Sequence, residues 1–219
     1  MVSCSNRREA VLQSIAATLA RLVPDPYLLV AVDGVDGAGK TVFADELAPY
    51  LIARGRPVIR ATVDRFHNPK HVRYRRGRDS PEGFYRDSYN YPQLKEYLLD
   101  PLRPSGSGLI RRAAFDHEHD APVDAPLESI EPGAVLVLDG IFLHRRELLR
   151  YWDFSIFLDV TTEVSVDRCA ARDGTSPDPE AAANRRYVEG QRLYLKESMP
   201  KKHASIVVEN SALDAPRII

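Results

Sequence analysis

The residues Gly34-Val35-Asp36-Gly37-Ala38-Gly39-Lys40-Thr41 fit the pattern G-x-x-x-x-G-K-[ST]. The pattern carries meaning here because an apolar run precedes it and helical spacing follows it. Glycines at these places let the backbone fold so that successive N–H groups point inward. The amino end of the next helix adds partial positive charge, and together they suit phosphate oxygens. The spacing therefore predicts that residues 34–41 cradle a nucleotide triphosphate, that Lys40 reaches the β- and γ-phosphates, and that Thr41 gives its hydroxyl to Mg²⁺. A glycine-rich turn closing a strand–helix pair is the plainer alternative, and the strand, lysine and threonine together weigh against it.

Phosphoryl transfer to a hydroxyl needs a group that receives the hydroxyl proton, and a positioned carboxylate contributes roughly 10²–10⁴-fold to such a step. Asp64 stands directly after the apolar run Val58–Val63, where it would project from the same sheet edge as the glycine loop; a helix-cap or turn aspartate is the other reading. Asp139 follows Val135-Leu136-Val137-Leu138, the arrangement of apolar run and acid that holds a metal ion or its waters, although Asp139-Gly140 also suits a turn. Arg168 and Arg172 are four apart and share a helical face, and Arg185 and Arg186 follow on the far side of a loop. An arginine closing over the γ-phosphate is worth about 10³–10⁵ in rate, against the ordinary role of an exposed helix charge. Arg65, Lys70, Arg73, Arg75, Arg76 and Arg78, interleaved with His67, His71 and Tyr74, read as a solvated or phosphate-facing surface, one or two of whose groups help hold a polar substrate.

The elements that must position these groups follow from apolar spacing. Asn6 and Glu9 make a capping-box start, and Val11, Ile15, Leu19 and Leu22 form a stripe that Pro24 and Pro26 end. Tyr27–Asp33 is a near-continuous apolar run, as expected of a strand buried on both faces. From Thr41 the positions Phe43, Leu47, Leu51 and Ile52 return to helical spacing, with a kink expected at Pro49 and a stop at Gly55 and Pro57. Val58–Val63, Val135–Leu138, Phe154–Val160 and Ser205–Val208 complete a strand series separated by helical or loop segments. The fold class is α/β with a mostly parallel central sheet, its ligand beyond the strands' carboxyl ends. Residues 65–115, irregular and rich in Arg, Tyr, Pro and Gly, are expected to be a substrate-side insertion. Residues 171–186 are expected to form a lid, with a mobile loop over 171–180 and a helix from about Ala181 to Met199.

The 219 residues, 44% apolar and 28% charged, are those of an ordinary globular chain, and one domain over 1–219 is the expectation. Lys and Arg total 30 against 31 Asp and Glu, so nothing in the balance calls for a nucleic-acid or membrane partner. Cys4 and Cys169 lie far apart without metal-ligand spacing, which argues against a disulfide scaffold or zinc site. The amino terminus lacks a secretory pattern and the apolar runs are too short to span a bilayer, so a cytoplasmic setting is expected.

Taken in order, Val32-Asp33-Gly34 through Lys40-Thr41, Val63-Asp64-Arg65-Phe66-His67, Pro81-Glu82-Gly83-Phe84-Tyr85-Arg86-Asp87, Phe115-Asp116, Leu138-Asp139-Gly140-Ile141 and Ser205-Ile206-Val207-Val208-Glu209-Asn210 resemble the uridine kinase branch of the P-loop kinases. That branch is kin to phosphoribulokinase, pantothenate kinase and nicotinamide riboside kinase, and the likeness spans about Tyr27 to Asn210. The resemblance implies a P-loop NTPase three-layer sandwich using ATP or GTP with Mg²⁺ to phosphorylate the 5′-hydroxyl of a nucleoside, uridine or cytidine first. It matches Asp64 to the catalytic aspartate of D-x-F-[YH], which also lies by the metal, and Asp139 to the acid of E-G-I. Asp87 would grip the sugar hydroxyls, with His67, Tyr85, Phe115 and His117 around the acceptor, and Arg168 and Arg172 would be lid arginines.

The sequence departs from the pattern where uridine kinases place an aromatic and a histidine after the Tyr-Asp pair. It has His117-Glu118-His119-Asp120 instead, which leaves nicotinamide riboside or pantothenate open as acceptors. The Asp-Gly-Val-Asp-Gly-Ala-Gly-Lys-Thr wording also echoes thymidylate kinases, whose Asp-Arg pair lies much further from the lysine. Two readings of other classes are a nucleotide-dependent regulatory binder, which lacks support from any [NT]-K-x-D or L-S-G-G-Q string, and an RNA-modifying enzyme resting on the Arg65–Arg78 run alone. The implied partner is a small molecule, and a homo-oligomer is compatible with the chain.

Overall fold

Strand β1 (Leu28–Gly34) is buried along its whole length in the computed structural model, which describes residues 4–219 and the side chains from residue 7 onward. It pairs in parallel with β3 (Val135–Gly140) on one side and β4 (Phe154–Asp159) on the other. β2 (Val58–Thr62) extends the sheet beyond β3 and β5 (Ile206–Glu209) beyond β4, both parallel, and β6 (Arg217–Ile218) adds an antiparallel edge. The order is β6-β5-β4-β1-β3-β2. The chain crosses from one side of β1 to the other between β3 and β4, which leaves a crevice at the carboxyl ends of the central strands. The mostly parallel α/β sheet expected from the apolar runs is present, and the strand β6 is an addition to it.

Alternation along β1 supplies both cores. Leu28, Val30 and Val32 face Val135, Val137, Ile156 and Leu158 under α1 (Cys4–Arg21) and α2 (Lys40–Ile52), which contribute Leu12, Ile15, Leu19, Phe43, Leu47 and Leu51. Leu29 and Ala31 face the opposite layer with Leu136 and Leu138, where Phe66, Tyr91, Leu94, Leu98 and Leu102 cover them. Each such side chain, fully buried, contributes about 1.5–3 kcal/mol relative to exposure. On the same side α3 (Pro81–Asp87) and, beyond α4 (Thr162–Asp173), α5 (Arg185–Ser198) pack Phe84, Tyr85 and Tyr194 around Phe142. Gly190 allows that approach: a Cβ there would stand 2.7 Å from Phe84 Cδ1 and 2.9 Å from the Pro81 carbonyl.

Element ends differ from expectation where local hydrogen bonds override apolar spacing. α1 begins at Cys4, ahead of Asn6, whose capping side chain and the Cys4 thiol lie outside the described residues. α2 continues past Pro49, which lies on its exposed face. Val63 leaves β2 for a 3₁₀ turn, Val63–Phe66, because Thr62 caps it by accepting from the Asp64 amide. α5 starts at Arg185 rather than near Ala181, since Asn184 Nδ2 closes the preceding loop onto the carbonyls of Ser176 and Asp178, each at 2.8 Å. Residues 65–115, expected to be irregular, hold α3, the one-turn helix Lys70–Arg73 and helical turns from Tyr91 to Leu102. Two short ladders, Leu109–Ile110 with Glu128–Ser129 and Phe115–Asp116 with Ala121–Pro122, carry this layer on beyond residue 115. Among the described residues no helix is long and apolar enough to cross a membrane.

Candidate active site

β1 delivers Gly34 to the sheet edge and α2 begins at Lys40, so residues 35–39 form the connecting loop. Its carbonyls are fixed from outside. Ser165 Oγ donates to Asp36 O at 2.6 Å, Arg168 Nη1 to Gly37 O at 3.1 Å and Asn210 Nδ2 to Ala38 O at 2.7 Å. Gly37 adopts φ of 68°, and a Cβ there would fall 2.4 Å from Ser165 O, so glycine is required by conformation and space alike. Lys40 Nζ donates to Val35 O at 2.8 Å across the loop. The first turn of α2 has no side-chain cap, and its amides, with the positive end of the helix, are available to an anion.

Asp139, next to last in β3, stands beside this loop and is 2% exposed. Its Oδ2 accepts from Thr41 Oγ1 at 2.7 Å and its Oδ1 from Arg60 Nη2 at 2.8 Å. The hard oxygens of Thr41 and Asp139 fit Mg²⁺, an ion that keeps several waters and takes few protein ligands. Both oxygens of Asp139 already accept a hydrogen bond, one from Thr41 and one from Arg60; these are the residues that would hold such an ion. Arg60 escaped the sequence reading because an arginine within a strand has no motif. Among the described residues, three close carboxylate, imidazole or thiol ligand atoms occur only at Asp116, Glu118 and His119; there His119 Nδ1 already pairs with Asp116 at 2.8 Å and holds its carboxyl down to about 2.

Asp64, Asp36, His67 and His117 share the lining of one cavity of about 460 Å³. Tyr89 Oη donates to Asp64 Oδ1 at 2.9 Å, and burial together with the Asp64 charge pushes the Tyr89 phenol well above its ordinary value. His67 Nδ1 lies 2.8 Å from the Asp64 carbonyl. A carbonyl only accepts, so Nδ1 carries the proton and Nε2 is left as an acceptor. Burial lowers the His67 pKa, which favours the neutral ring. The ring stacks on His117 at 4.7 Å between centroids and lies 4.5 Å from Tyr89. Burial pushes the Asp36 carboxyl up, Lys40 offsets part of that, and the Asp64 charge adds to it.

The remaining expected residues divide between this cavity and other places. Asp87 is 3% exposed and does not line this cavity: Arg75 Nη2 and Arg76 Nε hold its two oxygens at 2.5 and 2.9 Å. Tyr85 packs on Phe142 and bonds Ser198 Oγ at 3.0 Å, and Phe115 is buried in its ladder; neither is a lining residue. Arg168 gives its guanidinium to three carbonyls, those of Gly37, Asn210 and Ser211, and so ties the loop to the end of β5. Arg172 does line the cavity, paired with Asp173 at 2.7 Å. Arg186 lines it too but is pinned to the Arg78 and Ser80 carbonyls. Tyr89, Tyr187 and Gln191 are lining residues that sequence reasoning missed, whereas Arg73 and Tyr74 reach the cavity from the basic run singled out in the sequence. Gln191 Oε1 accepts from the Asp36 amide at 2.9 Å, a contact between α5 and the loop that no local signal announces.

Beneath the loop lies a fully buried polar group. Asp33 takes the Gly34 amide on Oδ1 at 2.7 Å, and on Oδ2 the His144 amide at 3.1 Å, His144 Nδ1 at 2.6 Å and the Tyr194 hydroxyl. His144 Nε2 pairs with Ser155 Oγ at 2.9 Å. These bonds join the start of the loop to α5 and to the base of β4.

The ordered glycine loop at the end of β1, with Thr41 on Asp139 and Asp64 facing the cavity, meets a pattern found in the chain itself: residues 29–177 match the Phosphoribulokinase / Uridine kinase family. The chain belongs to that family. It is a kinase, a phosphotransferase of a nucleotide-using family whose members act on small molecules. No curated protein matches it. Its fold is similar to "Structure of a Possible Uridine Kinase from Bacillus stearothermophilus", with a TM-score of 0.72 at 20% identity over 91% of this chain and 97% of that one. It is also similar to the "putative fructose transport system kinase from Silicibacter sp. TM1040", with a TM-score of 0.64 at 25% identity over 81% and 93%. Within the family, the expected sandwich with a mostly parallel sheet is the fold observed.

Proposed function

We propose that the chain transfers the γ-phosphoryl group of ATP or GTP to the 5′-hydroxyl of a nucleoside, uridine or cytidine. The observation that carries this reading is the cavity in which Asp64 and the loop residue Asp36 face the stacked rings of His67 and His117. A flat base fits against such a wall, and offset aromatic pairs contribute about 0.5–1.5 kcal/mol beyond area burial. Asp64, steadied by Tyr89, receives the acceptor's hydroxyl proton as transfer proceeds. Lys40 and the amides of residues 34–41 hold the phosphates, and Arg172 at the cavity wall is placed to follow the charge that moves. Mg²⁺, held by Thr41 and Asp139 with Asp64 nearby, would neutralise charge on the transferring group when bound with the nucleotide.

A second reading takes a sugar as the acceptor, on the strength of the similar Silicibacter kinase. Release of diphosphate from magnesium–ATP and magnesium–GTP, measured with a panel of nucleosides, hexoses and pantothenate, decides between them. Stimulation by uridine or cytidine above all others is expected. Stimulation by fructose alone would move the reading to the sugar, and indifference to every acceptor would end both.

A further inference from the structure

Arg73, the last residue of the one-turn helix Lys70–Arg73, lines the cavity with most of its hydrogen-bonding capacity unused. Its side chain is only 9% exposed. Nη2 alone is bonded, through long contacts to His117 O at 3.4 Å and Asp120 Oδ1 at 3.2 Å. Nε is buried without a partner among the described residues. A guanidinium presents five N–H donors in one plane, and a donor withdrawn from water with no acceptor is costly. The other arginines near the site show the contrast: Arg168 and Arg186 are spent on backbone carbonyls, and Arg75 and Arg76 on Asp87.

Asp120 answers part of the charge on Arg73, so the missing partner is an acceptor atom rather than a full anion. The surface beside it is aromatic, the His67–His117 stack. Contacts therefore run in a series from the Asp64 backbone to His67, across the stack to His117, and from the His117 carbonyl to Arg73. A ligand lying along that series has its hydroxyl at one end and a ring edge at the other.

We infer that Arg73 selects the acceptor by donating to a carbonyl oxygen on a flat ring stacked at His67 and His117, which makes the substrate class a nucleoside whose base carries a ring carbonyl. The inference rests on the nucleoside kinase reading above. Steady-state kinetics on the full chain with magnesium–ATP test it. Arg73→Met removes every donor and keeps a similar length; it should raise the KM for uridine about 10–100-fold, about 1.4–2.8 kcal/mol at 1.4 kcal/mol per decade. The kcat should hold within about threefold and the KM for ATP should not move. Arg73→Lys, with one compact donor group, should recover part of the loss.

A merely structural arginine would lower kcat, ATP affinity and melting temperature together, and that result would overturn the inference, as would an unchanged KM for uridine. If Arg73→Met does not fold, Asp120→Asn must produce the same KM-selective change in smaller measure, and its failure to do so counts against the inference. Wild-type turnover with adenosine, which lacks a ring carbonyl, as efficient as with uridine would also overturn it. The two readings fail separately: no turnover of any nucleoside by the wild type removes both, whereas turnover of uridine with an unmoved KM in Arg73→Met removes only this one.

Discussion

Replacing Tyr194 by phenylalanine removes one oxygen from the buried group under the phosphate loop and leaves its ring packed against Phe142, 5.0 Å between centroids. What is lost is a hydrogen bond to a buried carboxylate, and bonds to charged groups contribute about 1.5–3 kcal/mol. Asp33 is not stranded, because the Gly34 amide, the His144 amide and His144 Nδ1 remain at 2.7, 3.1 and 2.6 Å. The larger penalty of about 3–5 kcal/mol for an orphaned buried charge therefore does not apply. At about 2–4 °C per kcal/mol for a chain of this size, the melting temperature should fall by about 3–12 °C. Circular dichroism melts and urea titrations at constant m-value measure it. Tyr85→Phe is the internal control: its hydroxyl meets only the neutral Ser198 Oγ, so about 0.5–1.5 kcal/mol is expected. A loss in Tyr194→Phe no larger than that in Tyr85→Phe would refute the view that a charged acceptor holds α5 to the base of the loop.

Asp64→Asn should lower kcat by about 10²–10⁴, about 3–5 kcal/mol of barrier, with the KM for ATP unchanged. Because Asp64 is exposed, its melting temperature should stay near that of the wild type. An equal loss of nucleotide affinity would mean that Asp64 has another role. Asp87 gives a pH signature: burial would raise its pKa, but the bonds from Arg75 and Arg76 prevail and hold it below the ordinary carboxylate value. The unfolded chain then binds the proton first as pH falls, so the stabilisation is present above about pH 4 and is lost as pH drops through the folded value. The urea-stability gap between wild type and Asp87→Asn should be level from about pH 7 to 5 and shrink below about pH 4; a gap that widens in acid contradicts the pairing.

What the sequence made legible was what depends on neighbours along the chain. β1, β3 and β4 announced themselves as continuous apolar runs because both of their faces are buried, and the loop from Gly34 to Thr41 because its conformation demands glycines at fixed offsets. Asp64 and Asp139 could be placed at one sheet edge because each follows an apolar run that forms a strand of the same parallel sheet. Asp87 could not be placed, since nothing local reveals that Arg75 and Arg76 fold back onto α3 and take both of its oxygens. The cavity wall was equally hidden: Tyr187 and Gln191 reach it from α5, more than a hundred residues beyond Asp64, through packing on Phe84 and a bond to the Asp36 amide. Arg168 had the right spacing for a phosphate ligand, yet the end of β5 supplies the carbonyls of Asn210 and Ser211 that engage it.

Phosphoryl transfer here depends on a loop whose amides, with Lys40 and Thr41, bind the polyphosphate of a nucleotide. Isothermal titration of magnesium–ATP and magnesium–GTP into the wild type and into Lys40→Ala tests this most directly. Saturable heat with one molar equivalent of at least one nucleotide, greatly weakened in Lys40→Ala, is the predicted result. No heat with either nucleotide in well-folded wild-type protein, or equal binding by Lys40→Ala, would contradict it.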